Sequence, residues 1–225
     1  MALTLVLGNK NYSSWSFRPW IAMKAAGIPF AEKVISLDDP QFKPTLLEVS
    51  PAGKVPVLVD GDIHVWESLA ILEYVSEKFP AAKLWPEEPA ARAHARVIAS
   101  EMHAGFVPLR RHCPMNFWRP VKRRDLTPEV AANVARIDNM WSECLARFGG
   151  PFLFGPKFCA ADAMYAPVVS RFHTYAIDVG AAARGYMDAV MALPAWAEWT
   201  AAALKEEWVL AEDEVDWPQV LRVGA

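Results

Sequence analysis

Gly53-Lys54-Val55-Pro56-Val57-Leu58, followed after a short hairpin by Trp66-Glu67-Ser68-Leu69-Ala70-Ile71-Leu72, is the stretch from which the fold of this chain can be read. A Val-Pro bond that opens a strand invites the cis geometry. That geometry turns the Val55 N–H and C=O away from the sheet ladder and leaves them free. An extended ligand can then pair with them as a short added strand. Glu67 and Ser68 start an apolar-periodic helix, where unpaired N–H groups and the positive dipole end favour a ligand carboxylate. Together the two segments predict a pocket for a small acidic peptide.

Upstream, Leu3 to Leu7 reads as a strand, and a helix from about Trp15 to Ala26 follows, with Pro19 in its early turns and Gly27 placed to end it. Glu32 to Leu37 supplies a second strand, which makes a βαβ unit whose crossover should be right-handed and its strands parallel. Val57-Leu58-Val59 and Ile63-His64-Val65 flank Asp60-Gly61-Asp62, a strong hairpin signal. A helix from Ser68 to Phe79 closes the unit at Pro80. The order βαβ then ββα is the thioredoxin-like arrangement.

From Lys83 to Pro89 the composition turns rich in Pro and Glu, and beyond Ala90 strand signals give way to long Ala-rich periodic segments. The reading is therefore two domains, an α/β thioredoxin-like domain over 1–82 and an all-α domain over 90–225. Ala90 to about Arg110 and Thr127 to Phe148 are expected as two long helices, the second with Thr127 as N-cap, Pro128 first and Gly149-Gly150 as its stop. Shorter helices are expected near Asp162, Ala181 and Ala195.

Composition excludes several classes. The chain has 225 residues, 53% of them hydrophobic and 10 of them Trp, but charges and prolines interrupt every apolar run before it reaches membrane-spanning length. The first ten residues read as a strand and not an export leader, so a cytoplasmic location is expected. A net charge of −3 argues against a domain-wide field for nucleic acid. Positive charge does concentrate at Arg110-Arg111-His112, Arg119 and Lys122-Arg123-Arg124, read first as a solvated interhelical loop and second as a lure for an anionic substrate. Cys113, Cys144 and Cys159 show neither CxxC nor zinc spacing, and the histidines have no metal-ligand spacing, so no metal is expected. Gly150 to Lys157 mimics a phosphate loop faintly, but Pro156 breaks the Gly-Lys pair.

Asn11-Tyr12-Ser13-Ser14-Trp15-Ser16-Phe17-Arg18-Pro19-Trp20 resembles the serine motif at the first strand-to-helix turn of glutathione transferases, nearest the zeta type with theta as a looser relative. Gln41-Phe42 stands at the zeta spacing ahead of Val55, and Gly155 to Asp162 resembles the family's capping element for a core helix, with Cys159 where Ser or Thr is usual. The acidic peptide implied is glutathione, held by Gln41, Lys54, Val55, Glu67 and Ser68, with Ser13 or Ser14 as the catalytic hydroxyl. The resemblance also implies a homodimer and a hydrophobic co-substrate site in the second domain. Aromatics such as Phe106, Phe117, Trp118, Tyr165, Phe172 and Tyr175 lie in that stretch, each more simply read as core.

The chemistry needs a thiolate, because a free thiol of pKa about 8.5 is only slightly ionised near neutral pH. A hydroxyl donor aimed at sulfur corrects this, since one hydrogen bond to a charged partner is worth roughly 1.5–3 kcal/mol, or about one to two pKa units. The zeta pattern selects Ser13, whereas spacing back from Arg18 in the theta pattern selects Ser14. Trp15 stands where zeta members carry Cys, which disfavours disulfide exchange. The expected reaction is transfer of the glutathione thiolate to a small electrophile. The alternatives are cis–trans isomerisation of a maleyl-type acid and a non-enzymatic binding module that keeps the fold.

Overall fold

The computed structural model describes residues 3–223; the outermost limits of the two expected domains, residues 1 and 225, lie outside that range. Four strands, β1 (Leu3–Leu7), β2 (Phe30–Val34), β3 (Val57–Asp60) and β4 (Ile63–Trp66), form one sheet in the order β2-β1-β3-β4. β1 runs parallel to β2 and antiparallel to β3, and β3 pairs antiparallel with β4 through the Asp60-Gly61-Asp62 turn. The parallel pair is bridged by α1 (Ser14–Ala25), and α3 (Ser68–Lys78) follows β4. This is the expected βαβ-ββα unit.

The pleat sorts the apolar residues. Leu3, Leu5, Leu7 and Leu58 join Phe17 and Ile21 of α1 and Ile71, Leu72 and Val75 of α3 in the main core. Val6 and Val57 point to the opposite face, where Leu46 of α2 (Phe42–Leu47) covers them. The sequence gives no sign of α2, because six residues with one buried position carry no readable period. β2 corrects another expectation. It spans Phe30–Val34 instead of Glu32–Leu37, since its register is fixed by the five residues of β1, Leu3 opposite Phe30 and Leu7 opposite Val34, and not by its own largely exposed side chains.

The second domain holds α4 (Pro89–Ala104), α5 (Val107–His112), α6 (Pro128–Phe148), α7 (Ala160–Thr174), α8 (Ala181–Met191) and α9 (Pro194–Ala203). α6 has the cap, first-position proline and glycine stop that its sequence announces. The single helix expected from Ala90 to Arg110 is two helices, broken at Gly105 and at Phe106, whose φ is 56°. Pro108 explains the break, because its ring would collide with the carbonyl four residues back and it has no N–H to give. α7 is buried on nearly every side and packs against both α1 and α4. At that contact Arg18 of α1 is fully buried, its Nε donating to the Met164 carbonyl at 2.9 Å, so the two domains share one interior.

Candidate active site

One end of the site lies where β3 begins and α3 starts. The Val55-Pro56 bond is cis, and among the described residues the Val55 N–H and C=O make no hydrogen bond. Glu67 precedes α3 with φ 69°, a left-handed conformation that a non-glycine residue adopts only when its surroundings enforce it. The first helical bond runs from Ile71 N–H to the Glu67 carbonyl at 2.9 Å, so the amides ahead of it in the first turn have no acceptor within the helix. Ser68 is 1% exposed, and its hydroxyl oxygen is buried without a hydrogen-bond partner among the described residues. A buried unpaired hydroxyl is costly and marks a place where a polar ligand group belongs. Lys54, Val55, Glu67 and Ser68, with Trp15, His103 and Arg110, line a cavity of about 240 Å³ there.

The other end is the loop between β1 and α1. Ser13 is the N-cap of α1, its oxygen accepting the Ser16 N–H at 3.4 Å. The hydroxyl oxygens of Ser13 and Ser16 lie 2.7 Å apart, and Ser16 Oγ accepts the Gly8 N–H at 3.1 Å. Hydroxyl protons rotate, so Ser16 can donate to Ser13 and leave the Ser13 proton for a ligand. Ser16 was not singled out from the sequence, although its spacing three residues after an N-cap serine could have drawn attention to it. The Ser14 hydroxyl makes no hydrogen bond among the described residues. Ser13 and Ser14 line a larger cleft of about 810 Å³, and this cleft shares Trp15, Lys54, Val55 and Arg110 with the smaller cavity. Six of the residues singled out from sequence thus meet on one continuous cleft. Gln41 does not. It is exposed at the start of α2, its N–H bonded to the Asp39 carboxylate at 2.8 Å, while its neighbour Phe42 lines the cleft.

The cleft is more basic than the sequence suggests. Arg110 and Arg111 of α5 and Arg171 of α7 line it with Lys54, against Glu212 and Asp213 of the C-terminal segment. Trp15 lies against two guanidinium groups, Arg18 at 3.9 Å and Arg110 at 5.2 Å from its ring centre. Burial, then the neighbouring Arg171 and Arg110, hold the Arg18 pKa well down, and burial lowers Arg171 to about 10. Burial pushes the Asp213 carboxyl up to about 6 despite the opposing pull of Arg171. The reading of the whole basic stretch as a solvated loop is corrected here: Arg110 and Arg111 sit on a helix facing the cleft, while Arg119 pairs with Glu214 and the exposed Arg123 with Asp178.

The aromatics of the second domain follow their simpler reading as core, and other residues form the apolar walls. Phe106, Phe117, Trp118, Tyr165, Phe172 and Tyr175 are all buried in the interior, and none lines the cleft. Tyr12, Trp15, Phe42, Val107 and Leu210 do. Cys113, Cys144 and Cys159 are free and buried, and burial pushes the first two thiols up to about 11 and about 12, so neither is a nucleophile near neutral pH. Asp162 accepts the Leu153 and Cys159 N–H groups at 3.0 and 2.8 Å, which keeps the carboxylate half of the capping box despite the cysteine. Among the described residues no His, Cys, Asp or Glu cluster is arranged to hold a metal ion, and no helix is long and apolar enough to cross a membrane.

The cleft thus joins the unpaired backbone of Val55 ahead of β3, a helix start and a capping serine. A model of the glutathione S-transferase N-terminal domain matches residues 12–78, and a model of the C-terminal domain matches 124–202, together more than half of the chain. The chain belongs to the glutathione S-transferase family. Within the family it is similar to maleylacetoacetate isomerase of Rattus norvegicus, 28% identical over 170 residues that make up 74% of this chain and 77% of the relative. A probable maleylacetoacetate isomerase of Caenorhabditis elegans is 41% identical over 98 residues, but that match spans only 43% of this chain and 45% of the relative. A solved maleyl pyruvate isomerase, described as a bacterial glutathione S-transferase in zeta class, superposes with a TM-score of 0.68 at 19% identity, over 88% of this chain and 97% of that one, which shows the shared fold.

Proposed function

We propose that this glutathione S-transferase binds glutathione along the continuous cleft and uses its sulfur as the thiolate. The observation that carries the reading is the pairing of two groups on that cleft: the buried, unpartnered Ser68 hydroxyl at the start of α3 and the Ser13–Ser16 hydroxyl pair at the start of α1. The γ-glutamyl carboxylate sits on Ser68 and the first α3 amides, where the dipole favours an anion. The peptide backbone pairs with the free Val55 groups, Lys54 faces the same cavity, and the cysteinyl sulfur reaches Ser13. Ser13 accepts from Ser16 and donates to sulfur, and a hydroxyl polarised in this way is the stronger donor. Ser14 is the second donor. Gln41 joins only through movement of α2. The thiolate then attacks an electrophilic carbon, the S–C bond forming as a leaving group departs or as a double bond accepts the electron pair and is protonated.

The basic wall favours a second reaction of the same thiolate. Sulfur adds to the double bond of a maleyl-type acid, the former double bond rotates as a single bond, and elimination of sulfur restores the trans alkene with no net change in glutathione. Arg110, Arg111 and Arg171 suit the carboxylates of such a substrate. Assay of purified protein with glutathione against a panel of aromatic, alkyl and maleyl-type electrophiles separates the two. Binding of glutathione with no turnover on any member would instead favour a binding module. A cytoplasmic setting and a two-fold dimer complete the proposal. Ala70 of α3 is exposed in a groove lined with Glu67, Glu73 and Arg96, Val97 of α4 is exposed as well, and an isologous partner would cover this face. Light scattering is expected to give twice 25.0 kDa, and a monomer across the working range removes the dimer.

A further inference from the structure

The loop that carries the serines belongs to the first domain, but it is held by the last segment of the chain. Beyond α9 the chain runs back to the first domain, and Leu210, Glu212 and Asp213 of this segment line the cleft. Ahead of them the Glu206 carboxylate accepts two consecutive loop amides, Lys10 N–H at 2.6 Å on one oxygen and Asn11 N–H at 2.9 Å on the other. The same loop is gripped at the Lys10 carbonyl by Trp199 Nε1 at 2.9 Å and at the Asn11 side chain by Trp118 N–H at 3.0 Å. Glu214, farther along the tail, accepts the Tyr12 hydroxyl. Glu206 is partly buried and makes no ion pair among the described residues, since Lys10 Nζ turns instead to Glu32. Burial raises its pKa, and the two amides and the nearby Lys10 pull it back. A desolvated carboxylate is expensive unless charge-assisted hydrogen bonds offset it, and here the loop supplies both.

The consequence lies two residues on. Tyr12 and Ser13 both donate their N–H to the Asn9 carbonyl, at 3.2 and 2.8 Å, so the turn that places Ser13 is built on the segment Glu206 clamps. We propose that Glu206 is a positioning residue for the thiolate site: by holding Lys10 and Asn11 it sets the Ser13 hydroxyl at the distance where it meets sulfur. The proposal rests on the transferase reading above. An error of about 1 Å in such a donor is enough to cost most of its effect. Glutathione's carboxylate end, on Val55 and Ser68, is independent of this clamp.

Glu206→Gln is the decisive variant, because it keeps the shape but can accept only one of the two amides and must turn an NH₂ toward the other. In the full-length protein, kcat/KM for conjugation near pH 6.5 is expected to fall roughly five- to twentyfold, with the pH midpoint for thiolate formation about half a unit to one unit higher and glutathione KM changed less than about twofold. In a Ser13→Ala background the same substitution should cost less than about twofold, since the group it positions is gone. Hydrogen exchange is expected to accelerate about tenfold or more in peptides covering residues 9–14 and to stay unchanged in α6 and α7. An unmoved pH midpoint, or a loss that multiplies in full with Ser13→Ala, overturns the positioning role and leaves Glu206 structural only. Should the wild type conjugate no electrophile, the transferase reading fails on its own, and exchange in residues 9–14 still decides whether Glu206 holds the loop: unchanged exchange overturns the clamp.

Discussion

The two ends of the cleft are built by different rules. At the carboxylate end, Val55-Pro56 and Glu67-Ser68 belong to one short ββα segment, and their roles follow from local backbone: a strand that starts at a proline and a helix whose first turn has free amides. At the thiol end, the serine loop takes its shape from residues more than a hundred positions away, Trp118, Trp199, Glu206 and Glu214. On the proposed reading the carboxylate end of glutathione rests chiefly on the first domain, with His103 and Arg110 of the second closing the same cavity. On the same reading the placement of Ser13 depends on contacts that the second domain makes to its loop.

The largest expected effect tests the thiol end. Ser13→Ala should lower the transfer rate near neutral pH by roughly ten- to a hundredfold, the loss of one charged hydrogen bond of ~1.5–3 kcal/mol. Ser14→Ala should cost less. Steady-state kinetics of both variants settle the assignment, and normal activity in Ser13→Ala with collapse in Ser14→Ala would move the donor to Ser14. Glutathione should in turn stabilise the carboxylate end: at a hundredfold excess over its Kd the linkage is about 2.7 kcal/mol, several degrees in the melting temperature of a chain this size. An analogue lacking the γ-glutamyl carboxylate should lose most of that shift, and Ser68→Ala should reduce it more than Ser13→Ala does. Equal shifts with glutathione and the analogue would dissolve the distinction between binding and thiolate ends.

Ser16→Ala sharpens the comparison from inside α1. It removes a donor to Ser13 without touching ligand, so the rate should drop by a factor of about three to ten, with the kinetic pKa up by less than about one unit. Retention of the full rate would leave Ser16 with only its structural bond from the Gly8 N–H. The smallest effect concerns the cleft wall. Burial raises the Asp213 carboxyl from 3.8 to about 6, so its ionisation is harder in the folded state than in the unfolded one. Stability contributed by this group therefore falls as pH rises between about 4 and about 6 and stays low above that. Asp213→Asn should melt higher than wild type near pH 7, and the difference should close toward pH 4; thermal melts at both pH values read it out.

Much of the molecule was legible because short segments declare themselves by rules that need no partner. Thr127-Pro128 and Gly149 bracket α6 as capping rules require, and Asp60-Gly61 marks the hairpin. Misreadings occurred where a neighbour overruled the segment. β2 follows the register of β1, and Gly105 with Pro108 cuts a periodic run that reads as one helix. Arg171 carried no signal at all, since a lone arginine in a buried helix looks the same whether it faces a cleft or a carbonyl. The six aromatics read most simply as core are in the interior, while the residues that do line the cleft, Tyr12, Phe42, Val107 and Leu210 among them, carried no signal of that role, because apolar periodicity reports burial and not which surface is left open.

By itself, then, the sequence determined the order of the four strands and of the helices α1, α3 and α6, the unpaired backbone at Val55 and the anion-receptive helix start at Ser68, all properties of contiguous backbone. Only the tertiary structure decided that the Ser16 and Ser13 hydroxyls meet, that Gln41 stands apart, that Arg110 and Arg171 line the cleft, and that the Glu206 carboxylate closes on the serine loop. The physical reason is range: hydrogen bonding and periodicity within a turn or strand act over a few residues, whereas charge, burial and the aim of a hydroxyl depend on which distant segments the packed core brings to the same place.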